Sequence, residues 1–497
     1  MYRPLDGLPS VTQAQVAAGA RLGTAAVARG RALLYGAARG TRTTMGTVEI
    51  TLARAAPRAF AIHPRGLFYL AFTEAWERFS FYGMMGLLAL YMVEQLLLPE
   101  HAAHVSGLAD LRTVLEGLFG PLSNQAFASQ IFGLYTGLVY FTPLFGGLIA
   151  DRWIGQRNAV VLGALCMSAG HIAMTFDRSF LVALLLLIVG SGLLKGNICA
   201  QVGGLYPLED EARRTRGYVI FSTGINVGAI FGPVLCGLLA ELYGWHYGFG
   251  IAALFMLIGL ATYLHGYRHL PARVERSRHP GGRLNGADWR IIGVLLVVML
   301  ITVLQSISYY QLWNVGALWT SQYVELDSGG FRIPVPWFQS VTSIASVAGV
   351  PLLFWLWGRQ ARRGREPDAV AKIGIGAWLA AGCNLLLVAA IIGYGGAPIH
   401  PLWPLLYVIG LGIAFLYYWP TLLALVSRAA PASVNATLMG IAYMSLFVSN
   451  VLIGWIGAFY ERLSPAAFWA LHAAIAAVGG LAVALFGRRL SRVLECS

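Results

Sequence analysis

The chain has 497 residues, of which 57% are hydrophobic and only 11% charged, with a formal net charge of +13 and a mean hydropathy of +0.66. A soluble protein of this length needs more charge to cover its surface, so the composition excludes that class and predicts an integral membrane protein. The apolar runs have about the 20-residue length of a spanning helix, not the ten-residue alternation of an outer-membrane strand.

Residues 1–65 are rich in Ala, Gly and Arg and hold neither a span-length run nor a signal-peptide core. They are expected to form an N-terminal cytoplasmic extension, disordered or interfacial; the alternative is an authentic start at Met45. Twelve spans follow, at 67–93, 126–149, 158–176, 180–205, 217–241, 246–267, 290–314, 336–357, 372–395, 403–427, 434–459 and 465–487. The fold class is therefore an all-α integral membrane protein. The polar, basic stretch GYRHLPARVERSRHPGGRLNGADWR contains no hydrophobic run. It supplies a cytoplasmic linker, 268–289, between one six-helix bundle at 66–267 and a second at 290–490, ahead of a short tail at 491–497.

Arginine sets the orientation, because positive residues accumulate in cytoplasmic loops. Arg152 and Arg157 follow span 2, and Arg213, Arg214 and Arg216 follow span 4. Arg268, Arg273, Arg276, Arg278 and Arg283 follow span 6, Arg359, Arg362, Arg363 and Arg365 follow span 8, and Arg488, Arg489 and Arg492 follow span 12. The opposite loops hold only Arg112, Arg178, Arg332 and Arg462. Both termini are thus expected to be cytoplasmic, in a multi-pass protein of the cell inner (plasma) membrane. The positive charge is mostly a topology signal, and a nucleic-acid partner is not needed to explain it.

Cys166, Cys199, Cys236, Cys383 and Cys496 show no metal-ligand spacing, and no HExxH, GxSxG or phosphate-loop pattern occurs. Neither a metal, a cofactor nor an enzymatic activity is expected. What remains is charge inside the spans. Span 1 carries Glu74, Glu77 and Arg78, and span 4 carries Lys195, one of only two lysines in the chain. Each costs about 2.5–3.5 kcal/mol at mid-membrane on insertion scales, so these groups must face one another or a wet cavity. Glu74 and Arg78 are i and i+4, and Glu77 lies about 60° from Glu74, so the three share one helix face. A buried ion-pair network joining spans 1 and 4 would account for this; so would proton or anion transport. Lys favours transport, because Arg makes the better fixed ion pair whereas a buried Lys can lose its proton. Gly146, Gly147, Gly190, Gly192 and Gly196 are expected to allow close helix approach, and Trp245 and Trp337 to anchor at the interface.

The stretch EAWERFSFYG resembles the ExxERFxYYG signature of the proton-dependent oligopeptide transporter family, within the major facilitator superfamily. LVYFTPLFGGLIADRWIGQR, GSGLLKGNI, FSTGINVGAIFGP and GWHYGFG continue the likeness through the first half, and PWFQS, KIGIG, Pro420 and LMGIA carry it more thinly through the second. The resemblance implies the major facilitator fold and proton-driven symport of di- and tripeptides by alternating access. Glu74, Glu77, Arg78 and Lys195 then correspond to the proton-coupling group, with Arg78 and Lys195 also facing the substrate carboxylate. Tyr82, Tyr140, Asn226, Gln311 and Gln339 correspond to substrate-contacting positions, and Asp151, Arg152 and Arg157 to a cytoplasmic gating loop. The implied partners are a small-molecule substrate, protons and the bilayer.

The departures from that pattern concern the substrate. Tyr310 and Phe415 stand where peptide transporters of the family carry Glu, and Thr342 and Ala442 replace an Asn and a Trp. The second-half spans hold no acidic residue in their interiors, while Tyr309, Trp313, Tyr417, Tyr418, Trp419 and Tyr443 offer an aromatic wall. Two alternatives to peptide symport stay open: transport of a non-peptide organic carboxylate, and a transport-inactive sensor or assembly partner. The expected orientation is checked by topology reporters. One fused after Ser497 or inserted near Gly282 should report cytoplasmic and one near Gly329 external; an external C-terminus would break the twelve-span order.

Overall fold

The computed structural model describes residues 63–207, 210–271 and 284–495. Nearly all of the N-terminal extension, Met45, most of the linker with Arg273, Arg276, Arg278 and Arg283, and Cys496 lie outside the described residues.

Among the described residues, twelve long helices occupy the predicted spans. They are α1 (Arg65–Tyr91), α2 (Asn124–Phe141, continued by Pro143–Ile149), α3 (Gln156–Ala173), α4 (Phe180–Gly204), α5 (Glu211–Tyr243), α6 (Trp245–Gly266), α7 (Gly286–Gln311), α8 (Pro336–Arg362), α9 (Ala369–Tyr394), α10 (Leu402–Ala429), α11 (Asn435–Gly457) and α12 (Pro465–Glu495). Ten are apolar and long enough to cross a membrane on composition alone. The exceptions have a chemical cause: α1 carries Glu74, Glu77 and Arg78, and α3 opens on Gln156, Arg157 and Asn158 and contains His171.

Local signals set several boundaries. Ser123 caps α2 by accepting the Ala126 N–H, Asn285 and Asp288 form a reciprocal capping box at α7, and Gly244, at φ +98°, alone separates α5 from α6. The loops differ from expectation in two places. The α1–α2 connection contains a helix at Leu108–Phe119, and the α7–α8 connection contains a helix at Val315–Tyr323 and a hairpin pairing Asp327 with Arg332. Both segments are too short or too polar to register as spans.

Glycine seams hold the first half together. Gly224, Gly228 and Gly232 recur every four residues on α5, and a Cβ at each would collide with the carbonyl oxygens of Ala71, Ala75 and Phe79, which recur every four residues on α1. The two backbones therefore touch directly, as small residues permit in membrane bundles. On its other flank α1 is held by α6, through Ser80 Oγ donating to the Ala252 carbonyl at 2.7 Å and Trp76 stacking on Phe255 at 4.7 Å. These contacts fix the rotation of α1. α4 is positioned in the same way, with Gly190 against Gly163 of α3 and Gly192 against Thr142 of α2, while Gly146 meets Gly192 in turn. Gly147 and Gly196 do not follow the expectation: nothing lies within 4 Å of a Cβ at Gly147, and at Gly196 the nearest atom is at an ordinary 3.9 Å. Single-helix spacing cannot show which side of α2 or α4 meets a neighbour.

The halves meet toward the arginine-poor end. There Gly133 of α2 faces the Asn450 carbonyl of α11, Gln125 donates to the Gly457 carbonyl at 3.1 Å, and Ser129 donates to Asn314 at 3.2 Å. Trp337 joins the halves by donating its indole N–H to the Val234 carbonyl at 3.0 Å. Glu94 accepts from Ser321 at 2.7 Å, and Arg332 lies 3.8 Å from Glu241.

The α1–α5 seam makes a direct test possible. Gly228→Val should lower stability by about 1–3 kcal/mol, the usual cost of overpacking, whereas Gly147→Ala should be nearly silent. Thermal unfolding in detergent compares the two, and equal midpoints would contradict the packing described.

Candidate functional site

The charged face of α1 is turned inward, where Glu74, Glu77 and Arg78 are 4%, 0% and 7% exposed. Arg78 is shared between the two carboxylates. Its Nε lies 3.1 Å from Glu74 Oε1, the i,i+4 contact that the spacing predicts, and it is also in contact with Glu77 Oε2. Gly228 of α5 abuts the Arg78 Cβ, so the seam that holds the helix also backs the guanidinium.

Lys195 stands on the facing wall. It lies within electrostatic reach of Arg78, Glu77 and Glu74, but forms no ion pair with them. Its Nζ is buried without a hydrogen-bond partner. The ammonium rests on aromatic faces, 4.3 Å from the Phe81 ring centroid and 5.1 Å from that of Tyr140. The expectation that Lys195 could pair with span 1 is therefore corrected: the ion-pair contacts of Glu74 and Glu77 go to Arg78, and Lys195 Nζ reaches neither carboxylate. Cation–π contact partly compensates for the lost hydration of the lysine and leaves its N–H donors uncommitted.

Tyr140 links this wall to the second half, since its hydroxyl lies 3.0 Å from that of Tyr310 on α7. Tyr82 packs against Trp313, in the turn that follows α7, with ring centroids 5.6 Å apart. Tyr310 is thus one of two aromatic contacts by which the charged centre reaches the second half. Phe415 of α10 stacks on Tyr309 at 4.8 Å, and Tyr418 adjoins Phe415 edge-on at 5.7 Å. Trp419 and Tyr443 form another edge pair at 5.5 Å. Tyr417 does not join this wall: it turns toward Trp357 on α8, with ring centroids 5.7 Å apart.

The other predicted positions are dispersed. Gln311 is fully buried with neither amide atom bonded, and Gln339 is buried beside Gly86 with its Oε1 unpartnered. Thr342 and Ala442 are fully buried. Asn226 is exposed, about 200° around α5 from both Gly224 and Gly228, so it lies on the side away from α1. In the loop after α2, Asp151 and Arg152 lie in a π-helical turn, and Arg157 sits 5.0 Å over the Tyr267 ring within the first half. One group escaped the sequence reading. Tyr135 of α2 is 2% exposed, its hydroxyl has no partner, and it lies within electrostatic reach of Glu77 and Arg78. A tyrosine five residues before Tyr140 in an apolar run was the only available signal.

The site thus gathers two carboxylates and two cations in a largely buried, aromatic-walled centre. Among the described residues no group of three or more His, Cys, Asp or Glu side chains could hold a metal ion.

A family model described as the POT family, PTR2, matches residues 157–280 and 282–469. The chain is 27% identical to the uncharacterized transporter YclF of Bacillus subtilis strain 168, over 88% of this chain and 96% of the relative. It is 28% identical to the peptide transporter YePEPT of Yersinia enterocolitica, over 80% and 88% respectively. Among solved structures, a mutant form of the peptide transporter POT in complex with alafosfalin superposes with a TM-score of 0.76 at 25% identity, covering 87% of this chain and 96% of that one. The helical architecture is accordingly that of the major facilitator transporters.

Proposed function

Because this chain belongs to the POT family, we propose that it is a proton-coupled symporter that imports di- and tripeptides or peptide-like solutes across the inner (plasma) membrane by alternating access. It is a multi-pass membrane transporter for a small-molecule substrate, not an enzyme. The arginine-rich end is assigned to the cytoplasm. Closure at the opposite end then corresponds to an inward-facing stage of the cycle.

One observation carries the coupling scheme: Arg78 is divided between Glu74 and Glu77 while Lys195 is left without an anion. With both carboxylates ionised, two negative and two positive groups balance. A proton added to either carboxylate leaves one positive charge in excess in a low-dielectric centre, and a substrate carboxylate at Lys195 restores the balance. Proton and anion therefore favour each other's binding, and linkage makes this reciprocal, on the order of 1–3 kcal/mol. Tyr82 and Tyr140, beside Arg78 and Lys195, are assigned to the body of the substrate. Gln311, with an unsatisfied buried amide, is assigned to a peptide-like polar group in another state of the cycle. Gln339 and Asn226 retain their proposed contacting roles only for such a state, and Asp151, Arg152 and Arg157 that of a gating loop.

A second reading, a non-peptide organic carboxylate as substrate, is favoured by the second-half wall. Position 310 is a tyrosine bonded to Tyr140 and position 415 a phenylalanine stacked on Tyr309, so neither offers a carboxylate to a substrate ammonium group.

The proposal is tested in proteoliposomes under an imposed pH gradient, with dipeptides, N-acetylated peptides and simple carboxylates as competitors. Glu77→Gln should abolish gradient-driven accumulation and spare exchange without a gradient. Blocking the substrate carboxylate should weaken binding in the wild type by about 1.5–3 kcal/mol and add little in Lys195→Ala. Undiminished accumulation by Glu77→Gln and by the Glu74→Gln, Glu77→Gln double variant would refute the scheme. An absence of gradient-driven uptake by the wild type with every competitor class would favour a sensor.

A further inference from the structure

A cavity lies away from the charged centre. At the arginine-rich end of the second half, α8, α9, α10 and α12 enclose a cleft of about 820 Å³, within the size range of ligand sites. None of its lining residues belongs to α1, α2, α4, α5 or α7. Its place follows from the helix contacts. α8 and α10 touch closely where Ser346 donates to the Gly412 carbonyl at 2.9 Å and where Gly349 faces Leu416. The cleft begins at Val350, beside Pro351 inside α8 and Pro420 inside α10. Proline withholds the N–H that the helix ladder would use, so the Leu416 carbonyl, on the cleft wall, lacks its usual donor at position 420.

The walls are apolar, with Val350, Leu353, Leu416, Leu425 and Leu494, and Phe354 both lines the cleft and is 65% exposed. The cavity therefore opens onto the apolar surface of the bundle. Most of its charges are already engaged. Lys372 lies 2.6 Å from Glu366 and 4.0 Å over the Trp357 ring, and Asp368 caps α9 by accepting from the Ala371 N–H at 2.8 Å. Arg428 is different: it is exposed on the cleft wall and, among the described residues, has no ion-pair or hydrogen-bond partner. Arg359, Arg362, Arg363 and Arg365, on α8 and the loop that follows it, add positive charge near the same rim.

We propose that this cleft binds an anionic phospholipid of the adjoining leaflet, with its phosphate on Arg428 and one acyl chain along the Leu353–Phe354 wall. Charge complementarity selects the headgroup: Lys372 and Arg428 on the cleft, with Arg359, Arg362, Arg363 and Arg365 near its rim, outnumber Glu366 and Asp368. The apolar walls select a lipid over a soluble anion, because a small phosphate would leave them uncovered. The site is separate from the transport centre, so its occupancy does not depend on which substrate is carried.

Native mass spectrometry of the full-length protein in mild detergent tests the proposal, with phosphatidylglycerol and phosphatidylcholine of matched chains titrated in parallel. Wild type should hold one phosphatidylglycerol about fivefold more tightly than phosphatidylcholine, the scale of a single basic residue at a membrane surface. Arg428→Gln should bring the two lipids to parity, and Arg428→Lys should restore the preference. Ala424→Trp, which fills the cleft, should remove the tight site for both lipids. Arg428 is exposed, so its variants carry the test even if Ala424→Trp fails to fold. Equal binding of both lipids by wild type, or an unchanged preference in Arg428→Gln, would overturn the proposal. So would displacement of the lipid by inorganic phosphate or glycerophosphoglycerol, which would mark a site for a soluble anion.

Discussion

The shared contact of Arg78 with Glu74 and Glu77 is the constraint on which the rest of the centre depends. A guanidinium cannot lose its proton in a protein, so it is a permanent charge that must be matched wherever it is buried. Two carboxylates match it with one negative charge to spare, and Lys195 completes the balance from the opposite wall without touching either of them. Removing one partner of such an arrangement leaves an uncompensated buried charge, which is why the centre can hold few proton and ligand states. That scarcity of allowed states is what a coupling device requires.

Much of the surrounding structure keeps those four groups in place. The α5 glycines bring the α1 backbone into contact and turn its charged face inward, while the α4 glycines seat Lys195 beside Tyr140. The link from the charged centre itself to the second half is softer. It consists of a hydroxyl–hydroxyl contact, Tyr140 to Tyr310, and the packing of Tyr82 on Trp313. Neutral contacts of this kind are each worth roughly 1 kcal/mol, so they break more readily than a buried ion pair would, as the proposed alternating access requires.

The spans and the ion-pair register of α1 were legible in the sequence because both rest on relations within one helix. Twenty apolar residues mark a span, and i,i+4 spacing brings Glu74 to Arg78. Relations between helices were not legible. Nothing in the chain shows that Gly192 meets Thr142 while Gly147 meets nothing, that Trp337 reaches across to Val234, or that Lys195 rests on rings in preference to carboxylates. The absence of an acidic side chain at positions 310 and 415 could be read directly, but the aromatic contacts that fill its place depend on how α2, α7 and α10 cross.

The central claim is that anion binding at Lys195 and protonation of the Glu74–Glu77 pair are linked through charge balance. Calorimetric titration of the purified protein with a transported carboxylate, repeated in buffers of different ionisation enthalpy, counts the protons taken up on binding. The account predicts uptake approaching one proton per substrate in the wild type, falling toward zero in the Glu74→Gln, Glu77→Gln double variant. Tight binding by the wild type with no proton uptake, between about pH 5 and 8, would contradict it.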